Sequence, residues 1–415
     1  MLAMLRTNRD LRWLFLAQVV SFCGDWFAFV AFVGLIQDSS DSKILVSLVL
    51  VATTLPSFLM SPLAGTVADR FDRKQIIVVT SLIQSVAAVG LLAVGRSTLW
   101  LGYLCLIVIS AFGAFTGPAA GAAVPNLARN PQEMRLASTL FGSLWGAMLA
   151  VGAGLGGLFA AAFGRTAAFV ADAGSFVLAA GLVTLIRGAT QAQSAGATRP
   201  PMRPLRDMRE AFAAARKDSV ILAFLASKMA FTLGSSALVG LLAAFAHTEL
   251  HGHDGSTGLL IAARGTGAAI GPILAMRFAD GRLSRVQKVC GIGGIAVGLT
   301  YGCVAFAHRL WLAAALVLIA HLFGGSQWTL STYGLQMRSP DAIRGRILAG
   351  DFALATLTIG ISGTAGGALA DVIGIRHTFM VFGCIAIVSG SAYLVATRGI
   401  RDRLRIEEAE PVAVA

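Results

Sequence analysis

Asp25, Lys228 and Arg264 are full charges set inside long apolar runs. A charge at the centre of a membrane-crossing helix costs at least about 2.5–3.5 kcal/mol on insertion scales, so each of the three needs a partner or a task. Asp25 follows Gln18 and Ser21 by seven and four positions, which on a helix aligns them as one polar stripe. Such a stripe lines a cavity rather than lipid. Removal from water favours the neutral form of a carboxyl, which suits reversible proton binding. The alternative is a structural carboxylate permanently paired to a base. Lys228 sits at comparable depth in a later run, with Thr232 and Ser235 on its face.

Other polar residues carry weaker signals. His321 lies mid-run beside no carboxylate, and a lone helical histidine is more often a hydrogen-bonded core residue than a proton carrier. Gln327, Thr329 and Thr332 follow it and offer neutral hydrogen bonds to a ligand. Asp351 and Asp172 lie nearer the ends of their runs and are expected to be interfacial. His247, His251 and His253 lack the spacing of a zinc site. Gly265-Thr266-Gly267 falls inside an apolar run, where no phosphate-cradling loop forms. The five cysteines have no paired spacing and read as small packing residues. No nucleophile–base pair, metal set or cofactor motif is present, so the expectation is no enzyme, no metal and no cofactor.

The elements that must hold these residues follow from composition. Of 415 residues 56% are hydrophobic and 13% charged, against about 25% charged in a soluble domain. Runs long enough to cross roughly 30 Å of hydrocarbon as helices are expected at Trp13–Ile36, Ile44–Val67, Ile76–Val94, Leu99–Val124, Leu136–Phe163 and Thr166–Ile186. Six more follow at Val220–Ala246, Thr257–Met276, Val289–Ala307, Leu310–Thr332, Ile347–Ala370 and Thr378–Val395. The runs far exceed what a barrel strand needs and do not alternate. The fold expected is an all-α membrane protein with about twelve transmembrane helices. Arg6, Arg9 and Arg12 precede a first run too long for a signal peptide, so it is expected to stay as a membrane helix.

The formal net charge of +12 is distributed in one pattern. Every second loop is basic, as at Arg70, Arg73, Lys74, Arg129, Arg135, Arg277, Arg282, Arg285, Lys288, Arg338, Arg344 and Arg346, and so are the middle linker and the tail. The opposite loops hold only Lys43, Arg96, Arg165, Arg309 and Arg376. This bias places both termini and the linker in the cytoplasm and explains the charge without nucleic acid. In the linker, Gly188–Pro204 suits a flexible connection. Leu205–Arg216, with Leu205, Met208 and Phe212 among arginines, is expected to be an amphipathic helix on the inner membrane face. Glu407–Ala415 shows no periodicity and is expected to be disordered.

The second half repeats the first at an offset of about 210 residues. Phe15-Leu16-Ala17 recurs as Phe224-Leu225-Ala226, Pro131 through Arg135 as Pro340 through Arg344, and Gly156-Gly157 with Gly164 as Gly366-Gly367 with Gly374. Two parallel repeats in an apolar chain are the layout of a transporter with its site between them. The division expected is a first six-helix bundle over 1–187, a linker over 188–218, a second bundle over 219–400 and a tail over 401–415.

Gly65-Thr66-Val67-Ala68-Asp69-Arg70-Phe71-Asp72-Arg73-Lys74 resembles motif A of the major facilitator superfamily, with Asp72 where glycine is usual. A degenerate copy runs from Gly271-Pro272 to Arg282. Gly117-Pro118-Ala119 through Leu127, Ala262-Ala263-Arg264-Gly265, and Pro340 through Arg344-Gly345-Arg346 resemble the drug- and siderophore-exporting branch, typified by macrolide and enterobactin exporters. The resemblance runs nearly end to end. It departs at Gly152-Ala153-Gly154-Leu155-Gly156-Gly157, where drug antiporters usually carry a proline.

The resemblance implies two pseudo-symmetric bundles that alternate access to a central cavity. Asp69, Arg70, Arg73 and Lys74, with Gly65, Arg344 and Arg346, would latch its inner side. It also implies that the first and seventh helices border the cavity, so Asp25 and Lys228 can pair across it; Lys228 can instead contact an anionic substrate. Arg264 has a structural role or touches substrate. The function expected is export of a drug-like or siderophore-like molecule by proton antiport from the inner membrane, as a monomer among lipid. An uncoupled facilitator or lipid transporter of the same fold, or a non-transporting receptor or regulatory subunit, are the alternatives.

Overall fold

The computed structural model describes residues 2–39, 43–191, 204–251 and 254–409. Most of the connector Gly188–Pro204, His253 and residues 410–415 of the tail lie outside them. Among the described residues all regular structure is helical: α1 (Leu2–Thr7), α2 (Arg9–Ser39), α3 (Lys43–Arg70), α4 (Arg73–Gly90), α5 (Leu99–Leu127), α6 (Pro131–Phe163), α7 (Arg165–Thr184), α8 (Pro204–Ala215), α9 (Ser219–Gly240), the one-turn α10 (Leu242–Ala244), α11 (Asp254–Ala279), α12 (Leu283–Val304), α13 (Leu310–Arg338), α14 (Asp341–Ile373), α15 (Ile375–Ala396) and α16 (Arg398–Ala409).

Local chemistry sets the boundaries. Asp218 caps α9 by accepting from the amides of Val220 and Ile221. Asn130 caps α6, with Pro131 in the first turn where its missing N–H is not needed. Between α6 and α7 the chain turns at Gly164 with φ of 85°, and between α14 and α15 at Gly374 with φ of 83°. Both positions are open to glycine and strained for other residues, and they are repeat mates.

Among the described residues, eleven helices are long and apolar enough to cross a membrane. The ninth crossing expected from the sequence forms α12, 22 residues long, whose Gln287, Lys288 and glycines 291, 293, 294, 298 and 302 make it less apolar. The tail differs from expectation: α16 continues to Ala409, so Glu407 and Glu408 are helical. Glu408 accepts from the Ser284 amide and hydroxyl, which holds that end in place.

The chain divides into two compact units. The first comprises Met1–Ala137, Val151–Ala213 and Ser339–Ala353; the second comprises Ser138–Ala150, Ala214–Arg338 and Leu354–Ala415. In the first, α2 packs on α7 and α4 on α5 and α7, around a core that includes Phe32, Ile36, Leu91, Phe169 and Phe176. In the second, α13 packs on α11 and α12, and α15 on α9 and α12, around Phe245, Tyr301, Val317 and Phe379. Each unit carries the same ion pair at the end of its first long helical stretch: Arg165 to Asp38 at 2.8 Å, and Arg376 to Glu249 at 2.6 Å. The repeat therefore extends to paired charges, not only to glycines.

Candidate functional site

In the first unit the motif A residues converge on the start of α14. Asp69 is buried and accepts three hydrogen bonds, from the Gly345 amide at 2.6 Å, the Arg346 amide at 3.1 Å and Arg346 Nε at 2.8 Å. These donors lie in the opening turns of α14, where the helix dipole favours an anion. Gly65 makes the approach possible, since a Cβ there would stand 2.8 Å from the Cβ of Ala349 and from the Arg346 Cα. Arg73 is fully buried. It donates to Asp341 Oδ1 at 2.9 Å and to the carbonyls of Ala68, Ala122, Thr190 and Asp341. Arg344 also donates to Asp341 Oδ1, at 2.6 Å. Lys74 serves the carbonyls of Thr184 and Ile186 at the end of α7.

Asp72, the departure from the motif, has φ of −59° and caps α4 through the amides of Lys74 and Gln75. The turn needs no positive φ, so glycine is not required there. The amphipathic segment forms α8, and it does more than present an apolar face. Its Asp207 is buried and binds Arg70 at 2.7 Å, its Asp207 carbonyl accepts from Arg346, and Phe212 lies against Gly350. Sequence reasoning missed Asp207 and Asp341 as partners. The signal available was only that a cluster of bases needs acids, and the repeat places Gln132 where Asp341 stands.

A second locus in the same unit joins α2 to α7. Asp172 is 1% exposed, and neither carboxyl oxygen has a hydrogen-bond partner. Its Oδ1 lies against Gly24, 2.8 Å from where a Cβ would be, and Asp25 is within electrostatic reach. Asp25 itself is half-buried, as are Gln18 and Ser21, and forms no ion pair among the described residues. Within the first unit, a titratable neighbour of Asp25 is another carboxyl, that of Asp172. Depth along a run does not tell which helix a residue faces, and this hid Asp172. Asp351 is also buried, at 4% exposure.

In the second unit Lys228 is buried. Its Nζ donates to the Thr332 hydroxyl at 2.8 Å and lies 4.6 Å from the centre of the Trp328 ring. Thr232 bonds Thr358 and the Lys228 carbonyl, and Ser235 bonds the Phe231 carbonyl. Buried His321 pairs with the Tyr301 hydroxyl at 3.0 Å. Gln327 is fully buried, 3.4 Å from the Ser227 hydroxyl. These five are buried. Arg264 differs: it is half-buried, with its guanidinium 5.2 Å from the Trp145 ring centre.

Repeated halves of membrane-spanning helices, with motif A tied to the start of α14, define a transporter of the major facilitator superfamily. The chain belongs to the transmembrane secretion effector family, whose model matches residues 2–410, a family of transporters and not of enzymes. It is 25% identical over 410 residues to the MFS-type transporter YfiS of Bacillus subtilis (strain 168), covering 96% of this chain and 95% of that one. It is 24% identical over 402 residues to the multidrug efflux pump Tap of Mycolicibacterium fortuitum, covering 90% and 92%. Among solved structures it resembles the human organic anion transporter MFSD10, with a TM-score of 0.73 at 12% identity over 93% of this chain and 99% of that one. A bacterial homologue of the iron transporter ferroportin in an outward-facing state gives 0.70 at 17% over 94% and 99%. At these identities the structures speak for the fold.

Proposed function

We propose that the chain exports a small organic molecule by alternating access of its two repeated halves, driven by proton antiport across the cell's inner membrane, with both termini cytoplasmic. The observation that carries this reading is the juxtaposition of Asp25 and the buried, unpartnered Asp172 on two packed helices of the first unit. Two carboxyls so placed do not both hold a charge readily. One of them is a natural carrier of the proton that coupling requires. The basic bias of alternate loops supports a cytoplasmic position for motif A, where the Asp69 contacts hold that side shut. Likeness to the multidrug efflux pump Tap supports a drug-like cargo, and the protein acts as a monomer in lipid.

The test is accumulation by cells with and without the protein, using cationic, neutral and anionic compounds. Lower accumulation of at least one compound, reversed when the proton gradient is collapsed, is the expected result. Equal accumulation of every compound would remove the reading. One observation favours a second reading, an uncoupled facilitator: α6 has proline only in its first turn and none in the glycine-rich stretch where antiporters usually bend. In that case transport persists after the gradient is collapsed.

A further inference from the structure

Among the described residues, the spans of the second unit hold, away from their ends, two cations and no aspartate or glutamate, Asp351 of α14 belonging to the first unit. Of the two cations, Lys228 is engaged by Thr332 and Trp328. Arg264 is not held in that way. Its Nε is buried without a hydrogen-bond partner, and among the described residues it forms no ion pair. Its polar neighbours, Tyr301 and His321, lie within electrostatic reach but are bonded to each other. Roughly 12 Å inside its span by helical rise, a guanidinium whose Nε has no partner is too costly to leave against lipid, so it calls for water or a polar ligand.

The ring beside it is placed with unusual firmness. Trp145 belongs to the segment of α6 that packs within the second unit. Gly146 lies against the backbone of Ala268 and Ala269, and Gly265 against that of Ala150, so backbone contacts flank the Arg264–Trp145 pair on both helices. Trp145 nevertheless keeps 51% of its surface exposed. The arrangement is a preset guanidinium fork next to an open indole face. A planar carboxylate matches the fork bidentately, and an aromatic or flat apolar body matches the indole.

We propose that Arg264 and Trp145 form a recognition site for organic anions, the fork taking the carboxylate and the indole taking an aromatic body. This rests on the transport reading, and names a substrate class for it. Lys228 and Trp328 add a second cation on an aromatic face, and Trp328 lies two turns of α13, about 10 Å, from His321. The second unit thus sets a cation beside an aromatic face at two places, Lys228 of α9 at Trp328 and Arg264 of α11 at Trp145.

The experiment uses the full chain in nanodiscs and three probes sharing one ring: 1-naphthoate, 1-naphthalenemethanol and 1-naphthylmethylammonium. Binding is measured by calorimetry, and flux of the same probes in proteoliposomes. Naphthoate should bind at least about tenfold more tightly than the others. Arg264→Gln should remove about 10- to 100-fold of that affinity and leave the ammonium probe unchanged. Arg264→Lys, which keeps the charge and guards against misfolding of the Gln variant, should fall between, because an ammonium lacks the fork. Trp145→Leu should weaken all three probes alike. Equal binding of the three, no naphthoate binding at millimolar concentration, or full naphthoate affinity in Arg264→Gln would each overturn the proposal. Anion-selective binding without flux upholds the site and removes the transport reading; flux without anion preference does the reverse.

Discussion

Asp69→Asn replaces one oxygen with an amide group at the contact between α3 and α14. In the parent protein Oδ1 accepts from the Gly345 amide, while Oδ2 accepts from the amide and Nε of Arg346. The asparagine oxygen can still serve Gly345, but its NH2 then faces two donors. Two hydrogen bonds and a buried ion pair are lost. Arg346 keeps the Ala342 and Asp207 carbonyls and gains water when the contact opens. The net loss is about 3 kcal/mol, at the low end for breaking a buried pair, or roughly a 150-fold rise in the open-to-closed ratio. Ser339, 2% exposed at the entry to α14, gives a near-isosteric reporter as Ser339→Cys once the five native cysteines are replaced. Maleimide labelling should accelerate by about two orders of magnitude in Asp69→Asn, in line with that ratio, while the helical circular-dichroism signal stays unchanged. A labelling rate equal to that of the parent would refute the latch.

Arg73→Ala leaves Asp341 with Arg344 and Asn126 but takes the guanidinium from the carbonyls of Ala68, Ala122 and Thr190, so it should destabilise the first unit by about 3 kcal/mol; a thermal midpoint in detergent equal to the parent's would contradict this. Arg73→Lys should recover only part of the loss, since one ammonium cannot serve every acceptor of a guanidinium. Gly164→Ala and Gly374→Ala meet open space but force a side chain into a glycine-only backbone region, costing about 1–3 kcal/mol each. Similar shifts in thermal midpoint are expected for the two, as repeat mates, and no shift for either would show that the turn relaxes. Asp207→Ala should free α8 from Arg70, seen as faster proteolysis between α7 and α8; unchanged cleavage would show that Phe212 and the Arg346 bond to the residue-207 carbonyl suffice to hold it.

The spans were legible because apolar runs of this length have one solution in a bilayer, a helix with its backbone bonded internally. Motif A was legible because its bases and aspartate keep their register, and Asp69 and Arg346 do meet. What a single chain could not show was tertiary. Asp72 stood only as a departure from the usual glycine, because capping is invisible until the turn is built. Asp172 looked peripheral because its distance from the end of a run says nothing of the α2 face it meets. Arg264 stood out as a costly charge, but its Trp145 platform lies more than a hundred residues away and depends on two glycines that let α6 and α11 touch. The twelfth helix, α12, has the length but not the apolarity, since its glycines serve close packing against α15, as where Gly298 meets Gly383.

The central claim is that Asp25 exchanges the proton that drives export. Flux in proteoliposomes with and without an imposed pH gradient, comparing the parent with Asp25→Asn, tests it most directly, using a compound whose cellular accumulation the protein lowers. The account predicts gradient-driven accumulation in the parent and none in Asp25→Asn, with ligand binding retained and downhill exchange still measurable. Accumulation that survives in Asp25→Asn would contradict it and move the coupling to Asp172 or Asp351.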